Sequence, residues 1–350
     1  MKILYTISNP YGLGADRWIY EGYRHAFLTA GHEFSILTET DDFEKVVLRE
    51  KPDLFFLDFC FVERYSQQTK LIAPEFFQKL QNQGTKIFTM VGEGEDKEES
   101  SPQRITFFKR FVPFFDVCFS NHAPEVTRNL ESIFGKKIYF IPHAADTAYY
   151  FPDKPDKNFI CDIAFVGSFY TRKKEQFERL LFPLFKKYYV RLYGTGWTKK
   201  DRILRLGSGL GRKLKIKWLT KFVNKQRVTI SPEDERKLYA SAKICVNIHE
   251  YYKDGTIKGI SNEREFKVPA AGGFEISDYI PGMERYFEIG KEIVAVKTSE
   301  EWFKAIDFYL KNEKERKEIR ERGTKRVLRE HTYHHRVKRI LALYNSLKHE

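Results

Sequence analysis

The chain has 350 residues, a net charge of +13 and a pI near 9.3; 42% of it is hydrophobic and 31% charged. That composition belongs to a globular protein of two ordinary domains, each long enough to bury a core, and excludes disorder and any apolar run of membrane-spanning length. Its basic balance points to an anionic partner, whether nucleotide, lipid surface or nucleic acid, but no helix-turn-helix, zinc or single-strand-binding signature supports the last.

Lys2–Ser8 reads as a buried strand, too short and strand-like for a signal peptide. A Gly12–Gly14 loop follows, then a helix over Asp16–Ala30 closed by Gly31. Strands are expected at Glu33–Leu37, Leu54–Phe59, Lys86–Val91, Phe115–Ser120 and Lys137–Ile141, with helices at Phe43–Glu50 and Pro74–Gln83. Gly92–Pro102 is an acidic polar loop. Strand–helix alternation argues for a parallel sheet covered by helices, with ligands at the carboxyl ends of the strands.

Phe151–Asn158, with Pro152 and Pro155, reads as a linker. The alternation then restarts, with strands expected at Ile160–Gly167, Val190–Gly194, Val228–Ile230, Ile244–Ile248 and Phe274–Ile276. Helices are expected at Lys173–Tyr188, Pro232–Ala240, Glu300–Lys311, Glu313–Glu330 and Tyr333–Lys348. Thr198–Arg227 holds eleven lysines and arginines against one acid, Asp201. Lys215–Val223 is expected to be a basic amphipathic helix with Trp218, Leu219 and Phe222 on one face. Such a helix suits either an anionic membrane or a stripe packed on its own domain. Cys60, Cys118, Cys161 and Cys245 lie far apart in apolar runs and read as buried free thiols. No pair has metal-ligand spacing, and a reducing cytoplasm, with peripheral attachment at the inner membrane face, is the expected setting.

The richest stretch is Ser261–Tyr279. Asn262, Glu263, Arg264 and Glu265 precede an expected short helix, Phe266–Ala271, with Pro269 near its first turn and Gly272-Gly273 ending it. A helix start beside an arginine is a candidate anion site. Arg172 and Lys173, after the Gly167-Ser168 turn, are candidate cations for a departing diphosphate. The plainer alternatives are solvated surface for Arg172 and Lys173, and a salt bridge to Glu263 or Glu265 for Arg264.

Ser261–Tyr279 resembles the arginine-x-phenylalanine-acid, small-residue, Gly-Gly signature of CgeB-like glycosyltransferases, of the GT-B fold. Four more segments agree in order: Asp162–Ser168 with Arg172, Ile141–Asp146 with Phe151-Pro152, Val246–His249, and Glu330–Tyr333 with Arg336. The likeness runs from about Ile138 to the end. It implies an α/β protein of two facing Rossmann-like domains. Residues 1–150 would take the acceptor, 151–332 would hold the nucleotide-sugar, and a final helix, 333–350, would cross back onto the first domain.

By the same resemblance, Gly167, Ser168, Arg172, Lys173, Gly194, Ile230, His249, Asn262, Arg264, Glu265, Lys267 and Gly272 would contact the donor. Gly12, Gly14, His122 and His143 would lie on the acceptor side; any of these histidines could equally be a satisfied polar residue. Glu93, Glu95 and Asp96, then Asp16, are candidates for the base that deprotonates an acceptor hydroxyl; a solvated acidic loop is the alternative. Lys267 stands where most such chains carry a ribose-gripping glutamate. The earlier glutamate of their two-glutamate motif would fall near Gly259 and is absent. Lysine cannot accept a ribose hydroxyl, so Lys267 would meet a phosphate or point to solvent, and Glu265 would take the ribose. The implied activity is sugar transfer from a nucleotide-sugar to a glycan or lipid-linked acceptor, as in cell-surface polysaccharide assembly, with no cofactor and no bound metal. The competing reading is a non-catalytic nucleotide or glycan binder.

Overall fold

The computed structural model describes residues 1–91, 102–214, 216–251 and 260–347. They divide into two compact units, one built from residues 1–10, 16–142 and 334–350, the other from 11–15 and 143–333.

In the first unit the strands are β1 (Lys2–Ile7), β2 (Glu33–Thr38), β3 (Leu54–Asp58), β4 (Lys86–Met90), β5 (Val117–Ser120) and β6 (Ile138–Phe140). They form one parallel sheet in the order β2-β1-β3-β4-β5-β6. The intervening helices are α1 (Ala15–Thr29), α2 (Phe43–Glu50), α3 (Phe59–Gln68), α4 (Pro74–Asn82), α5 (Pro102–Lys109) and α6 (Pro124–Phe134). Helix α3 was not expected: its opening residues, Phe59-Cys60-Phe61-Val62, have strand-favouring side chains. Asp58 turns the chain by accepting the Cys60 N–H at 2.9 Å, and Phe59, Val62 and Tyr65 then fall on one buried helical face.

In the second unit the strands are β7 (Cys161–Val166), β8 (Val190–Tyr193), β9 (Ala242–Asn247), β10 (Glu275–Asp278) and β11 (Val294–Val296). They are parallel in the order β11-β10-β9-β7-β8. The helices are α7 (Lys174–Gln176), α8 (Lys199–Lys213), α9 (Lys217–Arg227), α10 (Pro232–Ser241), α11 (Arg264–Ala270), α12 (Ser299–Lys311), α13 (Glu313–Glu330) and α14 (Tyr333–Ser346). Most of α14 packs with the first unit: Tyr344 lies against Phe88, and Arg336 Nε donates to Pro142 O at 2.9 Å.

Three local expectations need correction. Val228–Ile230 is not a strand; it runs beside the end of β8, where Thr229 Oγ1 accepts the Gly194 N–H at 2.7 Å. The helix expected over Lys173–Tyr188 is short at α7, widens to a π turn over Phe177–Leu181 and tightens to 3-10 over Phe182–Lys186, where Pro183 supplies no N–H. Helix α11 starts at Arg264, so Pro269 sits in its last turn, and Gly272, at φ +79°, turns the chain out.

Candidate functional site

In the second sheet the chain steps from β7 outward to β8, then crosses back to β9 on the other side of β7 and continues away from it to β10, so the strand order reverses at the β7/β9 pair. A crevice opens at the carboxyl ends of strands where such a reversal occurs. Arg264 fastens the two strand ends there. Its Nη1 donates to Val166 O at 2.7 Å, its Nε to Asn247 Oδ1 at 3.0 Å and its Nη2 to Ile248 O at 3.3 Å. Its guanidinium lies 4.8 Å over the Phe165 ring. The salt bridge to Glu263 or Glu265 does not form, because Glu263 is held by Lys267 and Glu265 by His249. Asn262 aligns the loop: its Oδ1 accepts the Arg264 N–H at 2.9 Å, and its Nδ2 donates to Asn247 Oδ1 at 2.8 Å. The first backbone donor of α11 is therefore already capped, and the anion-facing character of this edge comes from side-chain cations.

Glycines make room for this contact. A Cβ on Gly167 would lie 2.4 Å from Arg264 Nη1. Gly194 has φ +127°, and a Cβ there would lie 2.0 Å from Gly167 O, the atom that accepts the Trp197 indole N–H at 2.7 Å. Gly194→Ala is expected to cost about 2–3 kcal/mol, from the strained φ and the displaced loop, and to lower the thermal midpoint by about 4–12 °C. A midpoint within a degree of wild type would contradict this packing.

Lys173 sits at the crevice with Nζ 3.1 Å from Ile248 O. Burial first, then the Arg264 charge, pulls its ammonium down to about 8. Arg172 is exposed and pairs with Glu250. Ser168 Oγ hydrogen-bonds Thr195 Oγ1 at 2.8 Å. Beyond this loop lies a recess of about 450 Å³ lined by Phe169, Tyr170, Thr171, Gly196 and three arginines, Arg172, Arg202 and Arg205. Arg202 is aimed by its own bond to Gly196 O at 3.1 Å. Sequence reading counted Arg202 and Arg205 only as part of a basic run; their convergence with Arg172 depends on the turn between β8 and α8.

Behind the crevice is a buried charge cluster. His249 Nδ1 is 2.6 Å from Asp278 Oδ1 and its Nε2 2.9 Å from Glu265 Oε1. Asp278 also accepts the His249 backbone N–H at 3.0 Å and the Tyr251 hydroxyl at 3.2 Å. Burial lowers the imidazole's proton affinity, but Asp278 and Glu265 outweigh it and raise it to about 9. Burial, then the charge of Glu265, holds Glu275 well above the usual carboxylate range. Asp278 lies inside the Ser261–Tyr279 stretch but was not among the expected site residues, because its role depends on the pairing of β10 with β9 that sets it against His249.

Other predicted residues lie elsewhere. Lys267 does not point to solvent: it is 5% exposed, its Nζ 3.2 Å from Glu263 Oε2 and 5.0 Å from the Tyr150 ring centre. Glu263 is further held by the Tyr333 hydroxyl at 3.1 Å, so Lys267 balances a buried acid. Gly272 precedes β10 and thus lies at the amino edge of the sheet, opposite the crevice, correcting its assignment to the donor. Ile230 is half-buried beside the end of β8. Gly12, Gly14 and His143, expected on the acceptor side, belong to the second unit. His122 is buried after β5 of the first unit, its backbone N–H 3.1 Å from Ser120 Oγ. Asp16 is exposed in the first turn of α1, where an acid complements the helix dipole. Glu93, Glu95 and Asp96 lie outside the described residues.

A family model described as glycosyl transferase-like matches residues 172–342. Comparison with curated proteins finds no match. Among solved structures, the chain is similar to sucrose-phosphate synthase from Thermosynechococcus elongatus, with TM-score 0.65, 13% identity and 99% of each chain covered. It is similar to Anabaena Alr3699/HepE in complex with UDP and glucose, with TM-score 0.63, 11% identity, and 99% of this chain and 100% of that one covered. An alpha-glucosyltransferase in complex with UDP and a 13-mer DNA gives TM-score 0.63 at 11% identity, with 99% of each chain covered. Residues 172–342, just under half of the chain, are thus similar to the glycosyl transferase-like family, and the two parallel-sheet α/β units have the fold of GT-B glycosyltransferases.

Proposed function

We propose that the protein transfers a sugar from a nucleotide diphosphate donor held at the carboxyl edge of the second sheet, on a CgeB-like plan. The observation that carries this reading is the gathering of Arg172, Lys173 and Arg264 at the β7/β9 reversal, fixed by Arg264 bridging Val166 O and Ile248 O. Leaving-group departure puts negative charge on the β-phosphate. Preorganised cations aimed at that position stabilise it more than they stabilise the ground state. On this reading Arg172 and Lys173 would take this role, in place of a metal. Arg264, with three donors already engaged, is a positioning residue that sets the loop and adds field. An acid from the segment holding Glu93, Glu95 and Asp96, or Asp16, would take the proton of a glycan or lipid-linked hydroxyl, as in cell-surface polysaccharide assembly on the cytoplasmic side.

The test is release of nucleoside diphosphate from UDP-, GDP- and dTDP-sugars, with CMP-sugars as a monophosphate control. One diphosphate sugar is expected to turn over. Arg172→Ala, which removes an exposed side chain, is expected to lower kcat/KM about tenfold or more without lowering the thermal midpoint. Because Lys173 is cationic only below about pH 8, KM for the donor should rise above that pH. No turnover and no thermal shift with any nucleotide would overturn the proposal.

A further inference from the structure

The basic stretch before α10 is a two-helix hairpin whose apolar side faces outward. Helices α8 and α9 pack closely because Gly207 and Gly211 leave no side chain between them: a Cβ on Gly211 would lie 2.7 Å from Thr220 Oγ1. Ser208 of α8 and Thr220, Val223, Asn224 and Arg227 of α9 are buried. On the opposite side, Ile203, Leu206, Leu210, Leu214, Trp218 and Phe222 are between 53% and 75% exposed. At 100° per residue the four aliphatic positions fall within an arc of about 80°, pointing away from the buried face. Apolar side chains of this size do not stay in water as a continuous stripe without a partner. The sequence expected Leu219 in this face, but it turns in against Gly211.

The charge around the stripe identifies the partner. Residues 198–227 carry eleven lysines and arginines, and their single acid, Asp201, is buried and paired with Arg227 at 2.8 Å. No exposed acid interrupts the face among the described residues. We propose that the α8–α9 hairpin is a membrane-docking element that lays its apolar stripe into an anionic phospholipid surface, with the lysines and arginines on the headgroups. A second copy of the chain would bring like charges together, which disfavours it. Trp218 suits the headgroup boundary. No described helix is long and apolar enough to cross a membrane, so the attachment is peripheral. Arg202 and Arg205 belong both to this helix and to the recess beside Arg172, so docking would hold the donor loop near the lipid surface.

Sedimentation of the full chain with vesicles tests this. The protein is expected to pellet with phosphatidylcholine containing about 30% phosphatidylglycerol, not with phosphatidylcholine alone, and to be released by salt. Leu206→Ser/Trp218→Ser/Phe222→Ser should weaken partition at least tenfold. Lys213→Gln/Lys225→Gln should weaken it about fivefold per residue. All five side chains are exposed, so unchanged thermal midpoints and unchanged nucleotide binding are expected, which separates loss of docking from loss of the donor site. Wild type remaining in the supernatant, equal binding to both vesicle types, or undiminished binding of the apolar variant would overturn the proposal. So would a dimer in light scattering that the apolar variant dissolves, since a second copy would then cover the face.

Discussion

Arg264→Ala is expected to lower the thermal midpoint of the second unit by about 6–12 °C and to reduce kcat/KM for the donor by 10²-fold or more. The stability loss follows from the contacts. Removing the guanidinium takes a charged donor from two carbonyls and one amide oxygen at the ends of β7 and β9; Ile248 O keeps Lys173 and Asn247 Oδ1 keeps Asn262, while Val166 O loses the bond to Arg264 Nη1. Hydrogen bonds from a charged donor contribute about 1.5–3 kcal/mol each, and partial access of water to this edge reduces the total to about 3 kcal/mol. The rate loss follows because the Gly167–Lys173 loop is aligned by the same contact and because a cation leaves the field around the departing phosphate. Arg264→Lys should recover little: an ammonium cannot reach Val166 O, Ile248 O and Asn247 Oδ1 together. Thermal melts and steady-state kinetics on both variants check this. A lysine variant equal to wild type would show that only charge matters.

The second large effect concerns the buried histidine. Asp278→Asn is expected to destabilise the protein by about 3–5 kcal/mol, because it leaves an imidazolium buried with a weaker partner. It should also change the pH dependence. In wild type the folded-state proton affinity of His249 is raised from 6.5 to about 9, so its stabilisation is complete below 6.5 and is lost as pH rises through 9. Lys173 is shifted down, to about 8, so its contribution runs the other way, with stability recovering between 8 and its unfolded value. The clean window is therefore pH 6.5 to 8, where wild type should lose about 2 kcal/mol. In Asp278→Asn that slope should flatten. Urea unfolding across this window, in both proteins, measures it.

Ten of the eleven strands among the described residues, all but the three-residue β11, and most helix positions were legible because a parallel strand is an apolar run between polar loops, and its period survives without knowledge of its neighbours. Of the residues read as donor-binding, Arg264, Asn262, His249, Lys173 and Gly167 converge at one edge, because each lies in a segment that follows the carboxyl end of β7 or β9, before the chain crosses back to the next strand. What was not legible depends on side-chain direction and on long-range pairing. Lys267 lies three residues from Arg264 in the same short helix but faces Glu263 and Tyr150. Gly272 is eight residues from Arg264 yet at the other edge of the sheet, because α11 carries the chain across the sheet. Val228–Ile230 has the residues of a strand and runs beside the end of β8, the edge strand of its sheet, but the contact there is through the Thr229 side chain rather than a backbone ladder. Asp278 becomes chemically important only because β10 lies beside β9 and so sets it against His249.

A crystal structure of the full chain with UDP tests most directly whether the carboxyl edge of the second sheet holds the donor. The pyrophosphate is expected between the Gly167–Lys173 loop and Arg264, within hydrogen-bond reach of Arg172 or Lys173. A pyrophosphate bound at the amino edge, near Gly272, or in the first unit would contradict that placement.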